Sequence, residues 1–220
     1  MSAAPPAGAD GAAWLAVCRA AVADLQAVLA ALPLRADRET VVGHGEGGDD
    51  TTAVDAQAEA AILARLDAFH RESGTGFTVI SEEIGERAYG SGVPWRVVVD
   101  PIDGSLNAKR LLPYYSVSIA VADGPALGDV RYGYVYDFGS GDEWWAERGG
   151  GAFLNGAPLG AERPREEIEI LAFEATLTAL VAEKAVAFVG TAKRLRIMGS
   201  LALSLCHIAA GHVDAVISLK

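Results

Sequence analysis

The stretch that most constrains this chain is residues 97–105, VVVDPIDGS, where a β-branched run meets two aspartates, a proline and a glycine. Three consecutive valines suit a buried, pleated strand and leave no polar alternation for a solvent face. Pro101 has no N–H to give to a ladder and so ends regular pairing, while Gly104 lets the backbone turn sharply. Asp100 and Asp103 are thereby held at the rigid end of a strand. Two carboxylates there suit a hard divalent cation, and the Gly-Ser backbone that follows suits a phosphate.

With 220 residues the chain has length for one large domain or two small ones, and for a substantial core. Its formal charge of −11 argues against a nucleic-acid backbone or an anionic membrane as the main partner, since either calls for a basic face. Phosphates remain accessible to so acidic a protein through bound metal ions. Cys18 and Cys206 stand alone, outside any CxxC or Cys/His cluster, and read as two reduced buried thiols of a cytoplasmic protein. The opening MSAAPPAGADG lacks a basic segment followed by an apolar one and reads as a flexible tail. Charges such as Glu174, Glu183 and Lys184 interrupt the apolar stretches, so no membrane span is expected.

In chain order, Trp14, Leu15, Cys18, Val22, Leu25, Leu29 and Leu32 recur at helical spacing up to Pro33. That apolar face serves either the core or a subunit contact, with core packing the default. Residues 42–52, glycine-rich and acidic, predict a loop. Helical spacing returns over residues 53–69, with Asp55 and Glu59 one turn apart as a solvated helix start near the positive end of the dipole. Residues 77–80, FTVI, form a short strand running into Glu82 and Glu83. If this strand lies beside VVVD in one sheet, their carboxyl ends bring Glu82, Asp100 and Asp103 into one pocket.

Residues 115–121, 130–138 and 143–148 then predict a mostly antiparallel meander, continued by an Asn155-Gly156 hairpin. The run ERPREE, residues 162–167, marks a boundary between an N-terminal α+β unit at 1–161 and a C-terminal α/β unit beginning at 162–220. Beyond it, strands are expected at 168–173 and 186–189 around a helix at about 174–184, then a helix at 201–210 and a strand at 213–219. Lys193, Arg194 and Arg196 are solvated surface charge by default. Placed just before Met198-Gly199-Ser200, they also offer an anion site at a helix start.

Five separated stretches in one order, DDTTAVDAQAE, VISEE, VVVDPIDGSLNAKRLLPYYSVSIAVADG, RGGGAFLNGAPL and MGSLALSLCHIAAGHVDA, resemble the inositol monophosphatase family of metal-dependent phosphatases. The resemblance implies an α+β fold, a layered αβαβα sandwich of the fructose-1,6-bisphosphatase-like sugar-phosphatase type. It implies two or three Mg²⁺ ions, with Glu82, Asp100, the Ile102 carbonyl and Asp103 as ligands. By the same resemblance Gly104 and Ser105 hold the phosphate, Asp55 and the Ser105 hydroxyl help to activate water, and Gly199 and Ser200 contact substrate. Arg194 and Arg196 would serve a second phosphate.

The implied reaction is lithium-sensitive hydrolysis of a small polyol or sugar phosphate by a homodimer, with inositol-1-phosphate first. Fructose 1,6-bisphosphate, adenosine 3′,5′-bisphosphate and a degenerate, non-catalytic metal-binding protein are the alternatives. Ala108 stands where the family commonly has an aromatic residue, and Ser218 where inositol-selective members carry a glutamate; both lean toward the broad-specificity archaeal type. The family pattern also continues past the final strand to a further metal-binding aspartate, so a longer native chain is expected.

Overall fold

The computed structural model describes residues 11–44, 50–160, 166–174 and 177–219. Helix α1, Gly11–Ala31, lies against helix α3, Ala53–Ser73, and the two bury Trp14, Cys18, Val22, Leu25 and Leu29 with Val54, Ala58, Ile62 and Leu66. Fully burying each large aliphatic side chain contributes roughly 1.5–3 kcal/mol. The face of α1 is therefore core, as its spacing predicts. It is also the one described helix long and apolar enough to cross a membrane by composition, and here its apolar stripe packs on protein.

Short α2, Arg35–Glu39, follows α1 and carries a buried arginine. Arg38 donates to the carbonyls of Leu29 and Leu32 at the end of α1, and across to Ala108 at 2.8 Å. A cation at a helix C-terminus is favoured by the dipole, and three carbonyls satisfy the fork without a carboxylate. Arg38→Ala removes a charged donor from three carbonyls, of which Leu29 and Ala108 keep a backbone N–H. It should cost about 3 kcal/mol and lower the melting temperature by roughly 5–10 °C in thermal denaturation followed by circular dichroism.

Strands β1, Val41–His44, and β2, Asp50–Thr52, pair antiparallel ahead of α3, so the ends of the expected loop are strands. Its middle, residues 45–49, lies outside the described residues. The main sheet then forms from β3, Phe77–Ser81; β4, Gly85–Tyr89; β5, Arg96–Asp103; and β6, Ser116–Ala122. Strands β7, Val130–Asp137; β8, Glu143–Glu147; β9, Gly151–Leu154; and β10, Ala157–Pro158, complete it in the order β10-β9-β8-β7-β6-β5-β3-β4. From β5 through β10 it is the expected antiparallel meander. Asn155 and Gly156 both take positive φ, 51° and 80°, as a tight hairpin requires.

Among the described residues of this sheet, β3 and β5 make the one parallel pair, Ser81 opposite Val99. This one pairing sets Glu82 beside Asp100. Pro101 does not end β5 as the sequence suggests; the strand continues to Asp103 and the register against β6 slips between Asp100 and Asp103. A proline that cannot donate is accommodated by an irregularity of this kind.

A second, parallel sheet holds β11, Ile168–Glu174, between β12, Ala192–Arg196, and β13, Ala215–Ser218. Helix α5, Thr178–Ala185, replaces the longer helix expected there, and the apolar run at 186–189 begins with a 3₁₀ turn, Val186–Phe188, instead of a strand. The strand is instead β12, in the basic segment. Helix α6, Leu201–Ala209, packs on β6, β7 and β13.

Alternation along β11 orders the layers. Glu174 bonds Ser204 of α6, whereas Phe173 meets Phe188 edge-on at 5.6 Å on the opposite face. The layers thus run α1 and α3, main sheet, α6, small sheet, then the α5 segment. Of the expected boundary, residues 161–165 lie outside the described residues. The segment beyond it is joined to the rest through α6.

Candidate active site

Short α4, Ser105–Lys109, starts at the end of β5. Asp55, Glu82, Glu83, Asp100, Pro101, Ile102 and Ser105 line one small cleft between α3, β3 and the β5–α4 turn. Asp55, near the start of α3, accepts the Thr52 hydroxyl at 2.5 Å on Oδ2, and its Oδ1 is buried without a hydrogen-bond partner. The expected solvated helix start is absent. Asp55 and Glu59 are 8% and 6% exposed because the end of β3 covers that turn: Ser81 donates to Glu59 at 2.6 Å. Burial, aided by Glu83, raises the Glu59 carboxyl above its usual range. Glu83 in turn accepts the Thr51 hydroxyl.

Asp100 accepts the Ile102 N–H at 3.1 Å, and Ser105 donates its hydroxyl to the Ile102 carbonyl at 2.9 Å. Burial, then the Asp103 charge, pushes Asp100 up to about 7, with Glu82 and Asp55 adding to the shift. Asp103, expected in the same pocket, is not among the residues that line this cleft, and one of its oxygens is drawn toward α6. Its Oδ2 accepts the Ser200 hydroxyl at 2.5 Å and the Ala202 N–H at 2.8 Å, which caps α6. Ser200 is fully buried and its hydroxyl is engaged in this tie, which braces the site.

Gly199 gives its N–H to Glu174 at 3.0 Å, and Asn107 donates to the carbonyls of Tyr114 and Met198. A side chain on Gly104 would place its Cβ 2.9 Å from the Gly199 carbonyl oxygen. The DPIDGS turn and the MGS turn are thus in direct contact. Arg194 and Arg196 are not part of this arrangement: they stand exposed on β12, each donating to the carbonyl of the preceding residue, and neither lines the cleft.

The sequence reading missed Lys109. Its Nζ lies 3.1 Å from Asp55 Oδ2, with the two side chains 20% and 10% exposed. No local signal marks it, because its partner is on another helix.

Among the described residues, no three His, Cys, Asp or Glu side chains are gathered closely enough to hold a metal ion as they stand. In kind, however, the donors fit a hard divalent cation. They are all oxygens, Asp55 Oδ1 is buried and unpartnered, and burial first and neighbouring like charges second already raise Asp100. Both hydrogen bonds to Asp103 fall on Oδ2, which leaves Oδ1 to such an ion.

Five alternating layers, with carboxylates collected where parallel strands end, define a layered α+β phosphatase fold. A crystal structure of an inositol monophosphatase–fructose 1,6-bisphosphatase superposes on it with a TM-score of 0.77 at 25% identity, over 94% of this chain and 76% of that one. The inositol monophosphatase family model matches residues 14–220. The chain belongs to that family and is a phosphoric monoester hydrolase. A fructose-1,6-bisphosphatase/inositol-1-monophosphatase of Archaeoglobus fulgidus is 35% identical, over 94% of this chain and 73% of that protein. One from Methanothermobacter thermautotrophicus is 32% identical, over 84% and 67%.

Proposed function

We propose that the chain is a Mg²⁺-dependent phosphomonoesterase for small polyol and sugar phosphates, with inositol-1-phosphate the first substrate and fructose 1,6-bisphosphate the second. The carrying observation is that Asp55 of α3, Glu82 just after β3, Asp100 of β5 and Ser105 of α4 meet on one cleft. The double naming of its archaeal relatives supports the substrate pair. Glu82, Asp100, the Ile102 carbonyl and Asp103 Oδ1 would hold Mg²⁺. A bound divalent ion supplies Lewis-acid stabilisation of the phosphoryl oxygens and of the leaving alkoxide.

The chain's own groups do the rest. Asp55 Oδ1 takes the proton of the attacking water, and Ser105, anchored to the Ile102 carbonyl, orients that water. The water oxygen forms a bond to phosphorus as the ester P–O bond breaks, the leaving oxygen takes a proton from a solvent water to depart as the alcohol, and Asp55 returns its proton to solvent. The amides of Gly104 and Ser105 fix the phosphate. The proposal includes a homodimer and lithium inhibition, in a reducing cytoplasm that suits two free thiols.

Phosphate release is measured from inositol-1-phosphate, fructose 1,6-bisphosphate and adenosine 3′,5′-bisphosphate with Mg²⁺, with chelator and with lithium. The expected result is Mg²⁺-dependent turnover of the first two, lost in chelator and inhibited by lithium. A chain that releases phosphate from none of them is not the enzyme described here.

A further inference from the structure

Among the described residues, Asp55 is the one carboxylate lining the cleft that already faces a side-chain cation. That cation is firmly placed. Lys109 ends α4, whose preceding carbonyl, Ala108, takes the buried Arg38 guanidinium at 2.8 Å. Asn107 ties the same helix to Tyr114 and Met198, and Ser105 at its start lines the cleft. The ammonium therefore meets Asp55 from a helix pinned on two sides, and it engages Oδ2 while Oδ1 stays unpartnered.

We propose that Lys109 is a positioning residue and the resident cation of the cleft, fixing Asp55 through Oδ2 so that Oδ1 serves the reaction. Its charge also acts on both ligands of the site, weakening the uptake of divalent ions and strengthening that of phosphate. The inference rests on the metal-dependent reading of the cleft. A positive charge held on Asp55, which lines the cleft, repels an incoming cation strongly enough in this partly desolvated setting to shift its affinity about fivefold or more, and an anion feels the opposite.

The test is calorimetric titration of the full chain with Mn²⁺, and then with inorganic phosphate at saturating Mn²⁺. Wild type is compared with Lys109→Met, Lys109→Gln and Lys109→Arg. The two neutral variants should bind Mn²⁺ about fivefold more tightly or better and phosphate about fivefold more weakly, while Lys109→Arg stays within about twofold of wild type on both. A merely structural lysine would weaken both ligands together, and that result overturns the proposal, as does no change in Mn²⁺ affinity.

Loss of fold in both neutral variants, seen by circular dichroism, also makes Lys109 structural and ends the argument. If wild type itself takes up no Mn²⁺, the metal-dependent reading fails as well. If it binds Mn²⁺ and Lys109→Met binds it identically, only the present inference fails.

Discussion

Asp100→Asn should abolish turnover and yet stabilise the metal-free chain above pH 7. Asp100 lies on β5 and lines the cleft, and in the proposed reading it is a direct ligand, whose loss should exceed the roughly hundredfold that outer partners of metal sites already cost. The stability effect has the opposite sign. The folded chain pushes Asp100 up to about 7, from an ordinary 3.8, through burial first and the Asp103 charge second. A raised carboxyl means the fold binds the proton that the unfolded chain releases, so stability falls as pH rises from about 4 to 7 and stays low above that range.

With partial exposure discounted, asparagine should recover about 2 kcal/mol at pH 8 and almost nothing at pH 4. Denaturation at the two pH values measures this. Because Asp100 must lose its proton to bind a cation, wild-type affinity for Mg²⁺ should fall about tenfold per unit below pH 7. An asparagine variant that melts below wild type at pH 8 would show that repulsion among these carboxylates is not what the fold contains.

Gly104→Ala should unfold the junction between the two sheets. Gly104 has φ of 90°, and a Cβ there would lie 2.9 Å from the Gly199 carbonyl oxygen and 3.2 Å from that of Tyr114. Left-handed strain costs an alanine about 1 kcal/mol, and backbone atoms cannot swing aside as a side chain can, which adds about 1–3 kcal/mol more. The control is Gly156→Ala, with φ of 80° and nothing within 4 Å, which should lose only the strain. A fall in melting temperature of roughly 5–10 °C for Gly104→Ala, against about 2–4 °C for the control, isolates the close approach. Equal falls would remove the contact between the turns from the account.

The parts of this architecture that could be read beforehand are those whose cause is local. Val97 and Val99 bury as the apolar run predicts, but Val98 between them is 44% exposed, so only one face of β5 is covered there. Two short β-branched runs, each ending in carboxylates, made the meeting of Glu82 and Asp100 legible on the condition that their strands lie side by side. Helices α1 and α3 declare themselves by spacing. The misread parts have causes at a distance. Acids at the start of α3 look solvated until the end of β3 is laid over them.

The run at 186–189 is apolar enough for a strand, yet Val186 and Val189 are 71% and 82% exposed, while the basic AKRLR pairs at the edge of the small sheet. Charge on an edge strand guards it against pairing with other chains, so composition there opposes the local propensity. Lys109 meets a carboxylate 54 residues earlier, and no pattern within one helix records that.

The bonds from Asn107 to Met198 and from Asp103 to Ala202 span 91 and 99 residues. At about 5–20 residues per second, a ribosome needs roughly 5–20 s after finishing the aspartate motif before the residues that brace it exist. During that interval the nascent chain carries a cluster of carboxylates whose geometry nothing yet holds. The motif is thus braced only after α1 to α5 and every strand of the main sheet have been made, and as α6 emerges.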